Sequence, residues 1–79
     1  LLKLKIDTGI DIRTIVSGIA EHFQPEELVG KQISIVANLE PRNIKGIESK
    51  GMILMAEDIS GKLVLVSPAG KITNGSTIK

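Results

Sequence analysis

Apolar and polar residues alternate at the start of the chain, where residues 2–7 read LKLKID. A period of two is typical of a strand with one buried face, so Leu2, Leu4 and Ile6 are expected to face a core. A short turn follows, and the β-branched stretch IRTIVS predicts a second strand at residues 12–17. The pattern therefore predicts that the chain begins with two strands joined by a turn.

Helix signals occur between residues 19 and 30. Pro25 suits a first helical position, and Glu26 and Glu27 suit a first turn, where carboxylates interact favourably with the helix dipole. Gly30 suits a stop, so the predicted helix is very short.

The second half of the chain predicts three further strands. They are expected at residues 31–37, 52–57 and 63–66, each rich in aliphatic residues. Residues 38–51 are interpreted as a long polar connection, and the residues after 66 as an irregular, turn-rich extension.

This order of elements, with one small helix among several short strands, is typical of an all-β Greek-key barrel. An OB-fold has its helix after the third strand, whereas here the helix follows the second. We therefore predict one OB-fold domain over residues 1–79, with a C-terminal extension and with its first strand upstream of Leu1. The predicted strands at 52–57 and 63–66 are apolar on both faces, so a tail, a helix or another subunit is expected to cover the second face of each. Of these, we favour a homodimer contact.

Composition excludes several kinds of site. The chain has no cysteine and a single histidine, so disulfides, thiolate metal sites and histidine clusters are ruled out. His22 lacks a triad or phosphate-loop motif around it, and we predict no catalytic residue, no metal, no cofactor and no small-molecule substrate. No apolar run approaches the roughly 20 residues of a membrane span, so we expect no membrane contact and a cytoplasmic location.

RNA binding is the chemistry that the sequence favours. With one Phe and no Trp or Tyr, the chain is poorly suited to stacking the bases of single strands. Folded RNA is recognised instead through phosphates, 2′-hydroxyls and shape. Residues 38–52 offer cations, small polar groups and two glycines, Gly46 and Gly51, that allow close backbone approach. The predicted RNA-binding residues are Asn38, Arg42, Lys45, Ser49, Lys50 and Met52.

Simpler interpretations stay open for the same residues. The segment could be a solvated loop with scattered lysines, and Met52 could be a core residue because it adjoins Ile53. Lys3 and Lys5 could extend a basic surface or form the outer face of an ordinary strand.

Three stretches resemble the tRNA-binding domain appended to methionyl-tRNA synthetases: RTIVSGIAEHFQPEELVGK, VANLEPRNIKGIESKGMILMAED and KLVLVSP. Related modules occur as free-standing structure-specific tRNA-binding proteins, in endothelial-monocyte-activating polypeptide II and in the phenylalanyl-tRNA synthetase β chain. The resemblance implies an OB-fold homodimer that binds the outer corner of tRNA by shape. It also implies that Ser49 and Met52, from the Ser-x-Gly-Met pattern, lie at the RNA surface.

The sequence departs from the family pattern in two places. The first family strand, with its Asp-Ile-Arg-Val-Gly-Lys pattern, has no counterpart in these residues, and Lys50 stands where Gln, Glu or His is frequent. Three alternatives to a synthetase appendix stay open: a free-standing tRNA-binding protein, a chaperone-like or protein-interaction dimer, and a dimerisation module without an RNA role.

Overall fold

Strands dominate the computed structural model, which describes residues 1–18 and 23–79. His22 and the start of the stretch with helix signals lie outside these residues. The elements are β1 (Leu2–Asp7), β2 (Ile12–Ser17), α1 (Pro25–Leu28), β3 (Ile35–Val36), β4 (Arg42–Ile44), β5 (Ile47–Ser49), β6 (Met52–Ile53), β7 (Met55–Glu57) and β8 (Leu63–Leu65). The prediction of an all-β domain with a short helix at Pro25 is confirmed.

The core forms against the first strand pair. β1 and β2 are antiparallel along their full length, and Leu4 lies opposite Ile15. Ile15 is completely buried and packs with Ile53, which is 8% exposed. Partly buried side chains surround these two: Leu2, Leu4, Ile6, Phe23, Leu28, Ile33, Ile35, Met55 and Leu65. The alternation in β1 therefore identified its buried face correctly.

The helix is held by its own first turn and by the core. The Gln24 backbone N–H donates to the Glu27 carboxylate at 3.0 Å, which satisfies an N–H at the start of the helix. Leu28, the last helical residue, packs against the core.

The strands predicted at residues 31–37 and 52–57 are shorter than expected, because the chain pairs with different strands before and after Leu54. β3 and β6 pair with each other, and β7 pairs with β8. Between β6 and β7, the Leu54 N–H donates to the Ser34 carbonyl at 3.0 Å, and the Leu54 carbonyl accepts from the Val66 N–H at 3.3 Å. Residues 52–57 are therefore two strands rather than one, and residues 31–34 are not part of a strand.

The interpretation of residues 38–51 as a polar connection was wrong, because they contain the hairpin of β4 and β5. Its two turn residues, Lys45 and Gly46, have φ of 51° and 85°. Two positive φ angles are what a type I′ hairpin turn requires. The Asn43 side-chain oxygen accepts the Gly46 N–H at 2.8 Å and closes the turn.

The predicted C-terminal extension follows β8, and one glutamine ties it to the barrel. The Gln32 amide nitrogen donates to the Ile72 carbonyl and, at 2.9 Å, to the Asn74 side-chain oxygen. The Gln32 amide oxygen accepts the Ile72 N–H at 3.0 Å. Within the described ranges, no helix is long and apolar enough to cross a bilayer.

Candidate nucleic-acid interface

The β4–β5 hairpin is attached to the free side of β2. The Lys50 N–H donates to the Thr14 carbonyl at 2.8 Å, and the Val16 N–H donates to the Ser49 hydroxyl at 3.0 Å. The segment that holds the predicted RNA-binding residues is thus fixed to the core strand pair rather than projecting as a free loop.

Arg13 fastens both ends of this segment. Its Nη1 donates to the Ala37 carbonyl at 3.1 Å and to the Lys50 carbonyl at 3.2 Å. Nε and Nη2 donate to the two carboxylate oxygens of Asp11, at 3.3 and 3.0 Å. These bonds from Arg13, and then one from the Thr8 hydroxyl, lower the pKa of Asp11. Arg13 was not among the predicted site residues, because nothing in the sequence connects residue 13 with residues 37 and 50.

Ser49 lies inside the protein, with 4% of its surface exposed. Its hydroxyl accepts the Val16 N–H and donates to the Gly51 carbonyl at 3.3 Å. A hydroxyl has one proton and two lone pairs, so one acceptor position is left. That position suits a donor such as a ribose 2′-hydroxyl, and it does not suit a phosphate. An RNA contact by Ser49 stays a prediction.

The fold itself requires glycine at both glycine positions of the segment. Gly46 needs its positive φ in the hairpin turn. A Cβ at Gly51 would lie 3.0 Å from the Val36 carbonyl oxygen and 3.1 Å from Ile15 Cδ1. Gly51 therefore permits close packing on the core, and close approach to RNA is not needed to explain either residue.

Arg42, Ser49 and Met52 line one groove together with Leu39 and Glu40. We call it the Met52 groove. Arg42 lies directly opposite Ser49 across the hairpin, and the groove has a volume of about 110 Å³. The interpretation of Met52 as a core residue was wrong, because its side chain is 50% exposed. The Met52 groove thus presents a guanidinium beside an exposed thioether.

A second groove lies on the other side of the hairpin, and we call it the Lys3 groove. It has a volume of about 410 Å³ and its charged lining residues are Lys3, Arg13, Glu48 and Lys50. Lys50 Nζ is 3.6 Å from the Glu48 carboxylate. Glu48 and Lys50 line the Lys3 groove whereas Ser49 between them lines the Met52 groove, as expected where neighbouring residues of an extended chain point to opposite faces.

The six predicted RNA-binding residues therefore do not form one cluster. Arg42, Ser49 and Met52 share the Met52 groove, whereas Lys50 lines the Lys3 groove. Lys45 lies exposed at the hairpin turn, and Asn38 lies exposed before β4. The roles of all six in RNA binding stay predictions.

Comparison with known proteins points to one family. The model of a family described as putative tRNA binding domain matches residues 1–77. Methionine–tRNA ligase of Flavobacterium johnsoniae is 60% identical over 78 residues, which are 99% of this chain and 11% of the relative. The ligase of Cytophaga hutchinsonii is 63% identical over 78 residues, with the same coverage. The chain thus spans about a ninth of the length of these curated relatives.

Two solved structures have the same fold. A MetRS-related protein from Pyrococcus horikoshii superposes with a TM-score of 0.90 at 42% identity, over 98% of this chain and 71% of that one. The chaperone CsaA of Bacillus anthracis superposes with a TM-score of 0.89 at 31% identity, over 98% and 74%. The predicted OB-fold of the tRNA-binding type is confirmed by these similarities.

Proposed function

This chain belongs to the family of putative tRNA-binding domains, and on that premise we propose that it is the tRNA-binding appendix of a methionine–tRNA ligase. Relatives of that name match nearly the whole chain at about 60% identity. In this proposal aminoacylation occurs in another domain of the ligase. The appendix raises the affinity for tRNA and needs no cofactor of its own, and the ligase works in the cytoplasm.

The observation that carries the proposal is the anchored hairpin with exposed cations. Arg42, Lys45 and Lys50 are all exposed on a segment that hydrogen bonds fix to β2. Cations carried on a fixed backbone suit recognition of a fixed arrangement of phosphates, which is how proteins recognise the shape of folded RNA. We propose that this surface binds the outer corner of tRNA, with Met52 packing against a base or ribose.

We also propose that the protein is a homodimer. The outward side of β8 is apolar: Val64 is 47% exposed, and Val66, just beyond the strand, is 40% exposed. Ile72 of the extension is 53% exposed as well. Sedimentation of the wild type and of Val64→Glu tests this, and a wild type that stays monomeric at high concentration contradicts it.

The same apolar residues favour a second candidate function, binding of unfolded protein segments. The similarity to the chaperone CsaA supports this candidate. Hydrophobic binding depends weakly on salt, whereas phosphate binding depends on it strongly. Binding of an unfolded client that persists at high salt and is lost in Val64→Glu supports the chaperone function.

The experiment for the proposed function is binding of folded tRNA across a salt series, with single-stranded RNA of equal length as control. We expect preference for tRNA, and we expect Arg42→Gln to lower the slope of log K against log salt by about 1. Lys62→Gln is the matched control, because Lys62 is an exposed lysine in the turn before β8. Equal affinity for both RNAs contradicts recognition by shape.

A further inference from the structure

The Lys3 groove contains two cations, Lys3 and Arg13, that were not among the RNA-binding residues predicted from the sequence. Three of its charged lining residues are cations, Lys3, Arg13 and Lys50, and one is an acid, Glu48. Arg13 is already engaged by Asp11, with 3.0 Å between the charged groups. The charge available to a ligand therefore comes from Lys3 and Lys50.

Lys50 can exchange its present partner for a ligand. Its ion pair with Glu48 is long, at 3.6 Å, and the two side chains are 53% and 61% exposed. Exposed pairs of this kind contribute little to stability, so a phosphate can replace the carboxylate at little cost. Lys3 makes no ion pair with the residues that the structure describes.

The position of Lys3 on β1 gives the groove a fixed wall. Lys3 points away from the core, opposite Val16, and its strand is paired with β2 over six residues. Lys5, two residues along the same strand, is exposed on the same face. The opposite wall of the groove is the hairpin, with Gly46, Glu48 and Lys50.

The hairpin therefore separates two surfaces that each offer a cation: Arg42 in the Met52 groove, and Lys3 with Lys50 in the Lys3 groove. We propose that the Lys3 groove binds backbone phosphates of the same folded RNA, so that the β4–β5 hairpin lies between two lengths of RNA backbone. This inference rests on the proposed function. Charge complementarity selects the occupant. The groove is open and offers two available cations, and its lining is mostly polar apart from Ile12 and Ile47, so it suits a phosphate chain better than an apolar peptide.

The test compares tRNA binding by the wild type and by three variants with single charge changes. Lys3→Gln is expected to weaken binding and to lower the salt slope by about 1, the change expected for one lost phosphate contact. Glu48→Gln is expected to strengthen binding, since it removes the acid from the groove and frees Lys50. Lys62→Gln, which changes a residue that lines neither groove, reports the effect of losing one positive charge.

Phosphate-ethylation interference on the tRNA gives a second readout. In the wild type, ethylation of a contacted tRNA phosphate weakens binding. In Lys3→Gln, ethylation of one group of phosphates is expected to have no further effect, and in Arg42→Gln the same is expected for a different group. Lys3→Arg is expected to restore binding, because a phosphate contact needs a cation and not a lysine.

The results distinguish this inference from the proposed function. If Arg42→Gln weakens binding while Lys3→Gln matches Lys62→Gln and Glu48→Gln does not strengthen binding, the Lys3 groove does not bind RNA and the proposed function survives. If the wild type shows no preference for tRNA, both are overturned. Circular dichroism of each variant verifies the fold, which these exposed side chains are not expected to affect.

Discussion

The Ser49 hydroxyl and the Val16 backbone N–H form a buried hydrogen bond of 3.0 Å that joins the hairpin to the core strand pair. Val16 is 7% exposed and Ser49 is 4% exposed, so water has little access to either group. The residue that the Ser-x-Gly-Met pattern assigns to the RNA surface therefore also has a structural role. Any effect of its substitution on RNA binding has to be separated from an effect on stability.

We predict that Ser49→Ala lowers the free energy of unfolding by about 1–3 kcal/mol, because the buried Val16 N–H loses its acceptor. Urea denaturation followed by circular dichroism measures the change. Ser67→Ala is the control, since Ser67 is exposed and surface substitutions usually stay within about 0.5 kcal/mol. Unchanged stability in Ser49→Ala would contradict the structural role of the hydroxyl.

Arg13 is predicted to position the hairpin. Arg13→Lys keeps the charge, but an ammonium group has no planar fork that reaches the Ala37 and Lys50 carbonyls and Asp11 together. We expect faster amide hydrogen exchange in β4 and β5 and weaker tRNA binding with an unchanged salt slope. A lower slope in Arg13→Lys would instead indicate that Arg13 contacts phosphate directly.

β1 and Arg13 show which features of this fold could be predicted from local sequence patterns and which could not. Alternation in β1 depends on neighbouring residues, so its buried face and its strand boundaries could be predicted. The bonds from Arg13 to residues 37 and 50 depend on which strands become neighbours, and no local pattern contains that information. The hairpin lies between these cases, because Ile44 and Ile47 on either side of a two-residue turn ending in glycine were a usable local signal.

The candidate site shows the same limit. The sequence identified the segment and its cations, but it could not show that the hairpin divides Arg42 from Lys50. Lys3 could be recognised only as a residue on the outer face of a strand. Its partnership with Lys50 across a groove follows from the attachment of the hairpin to β2.

Substitution of Lys45 separates the effect of its charge on tRNA binding from the effect of its backbone strain on stability. Its φ of 51° is unfavourable for most residues with a side chain, and asparagine tolerates it better. We predict that Lys45→Asn keeps or slightly raises the melting temperature while it weakens tRNA binding, since one exposed cation is lost. Gly46→Ala is the complementary variant, because its φ of 85° strains alanine and lowers stability by about 1 kcal/mol or more. If Lys45→Asn binds tRNA like the wild type, the hairpin turn lies outside the interface.

Asp58 is predicted to make stability depend on pH in acid. Its carboxylate accepts hydrogen bonds from the Ser60 hydroxyl and from the Lys62 and Ser60 backbone N–H groups, and these lower its pKa from 3.8. A pKa that is lower in the folded state means that the unfolded chain binds the proton more tightly. The stabilisation is therefore complete above the unfolded value of 3.8 and is lost as the pH falls through the folded pKa.

Melting temperatures measured from about pH 6 down to about pH 2 test this, with Asp58→Asn as the matched variant. An amide does not titrate in this range, so the melting temperature of Asp58→Asn should fall less steeply in acid than that of the wild type. The pKa of Asp11 is lowered as well, but Asp11 is present in both proteins. The difference between the two curves therefore reports the contribution of Asp58 alone. Parallel curves would mean that the hydrogen bonds of Asp58 do not favour its ionised form in solution. Because Asp58 lines neither the Met52 groove nor the Lys3 groove, Asp58→Asn should change stability in acid without changing the salt slope of tRNA binding at neutral pH.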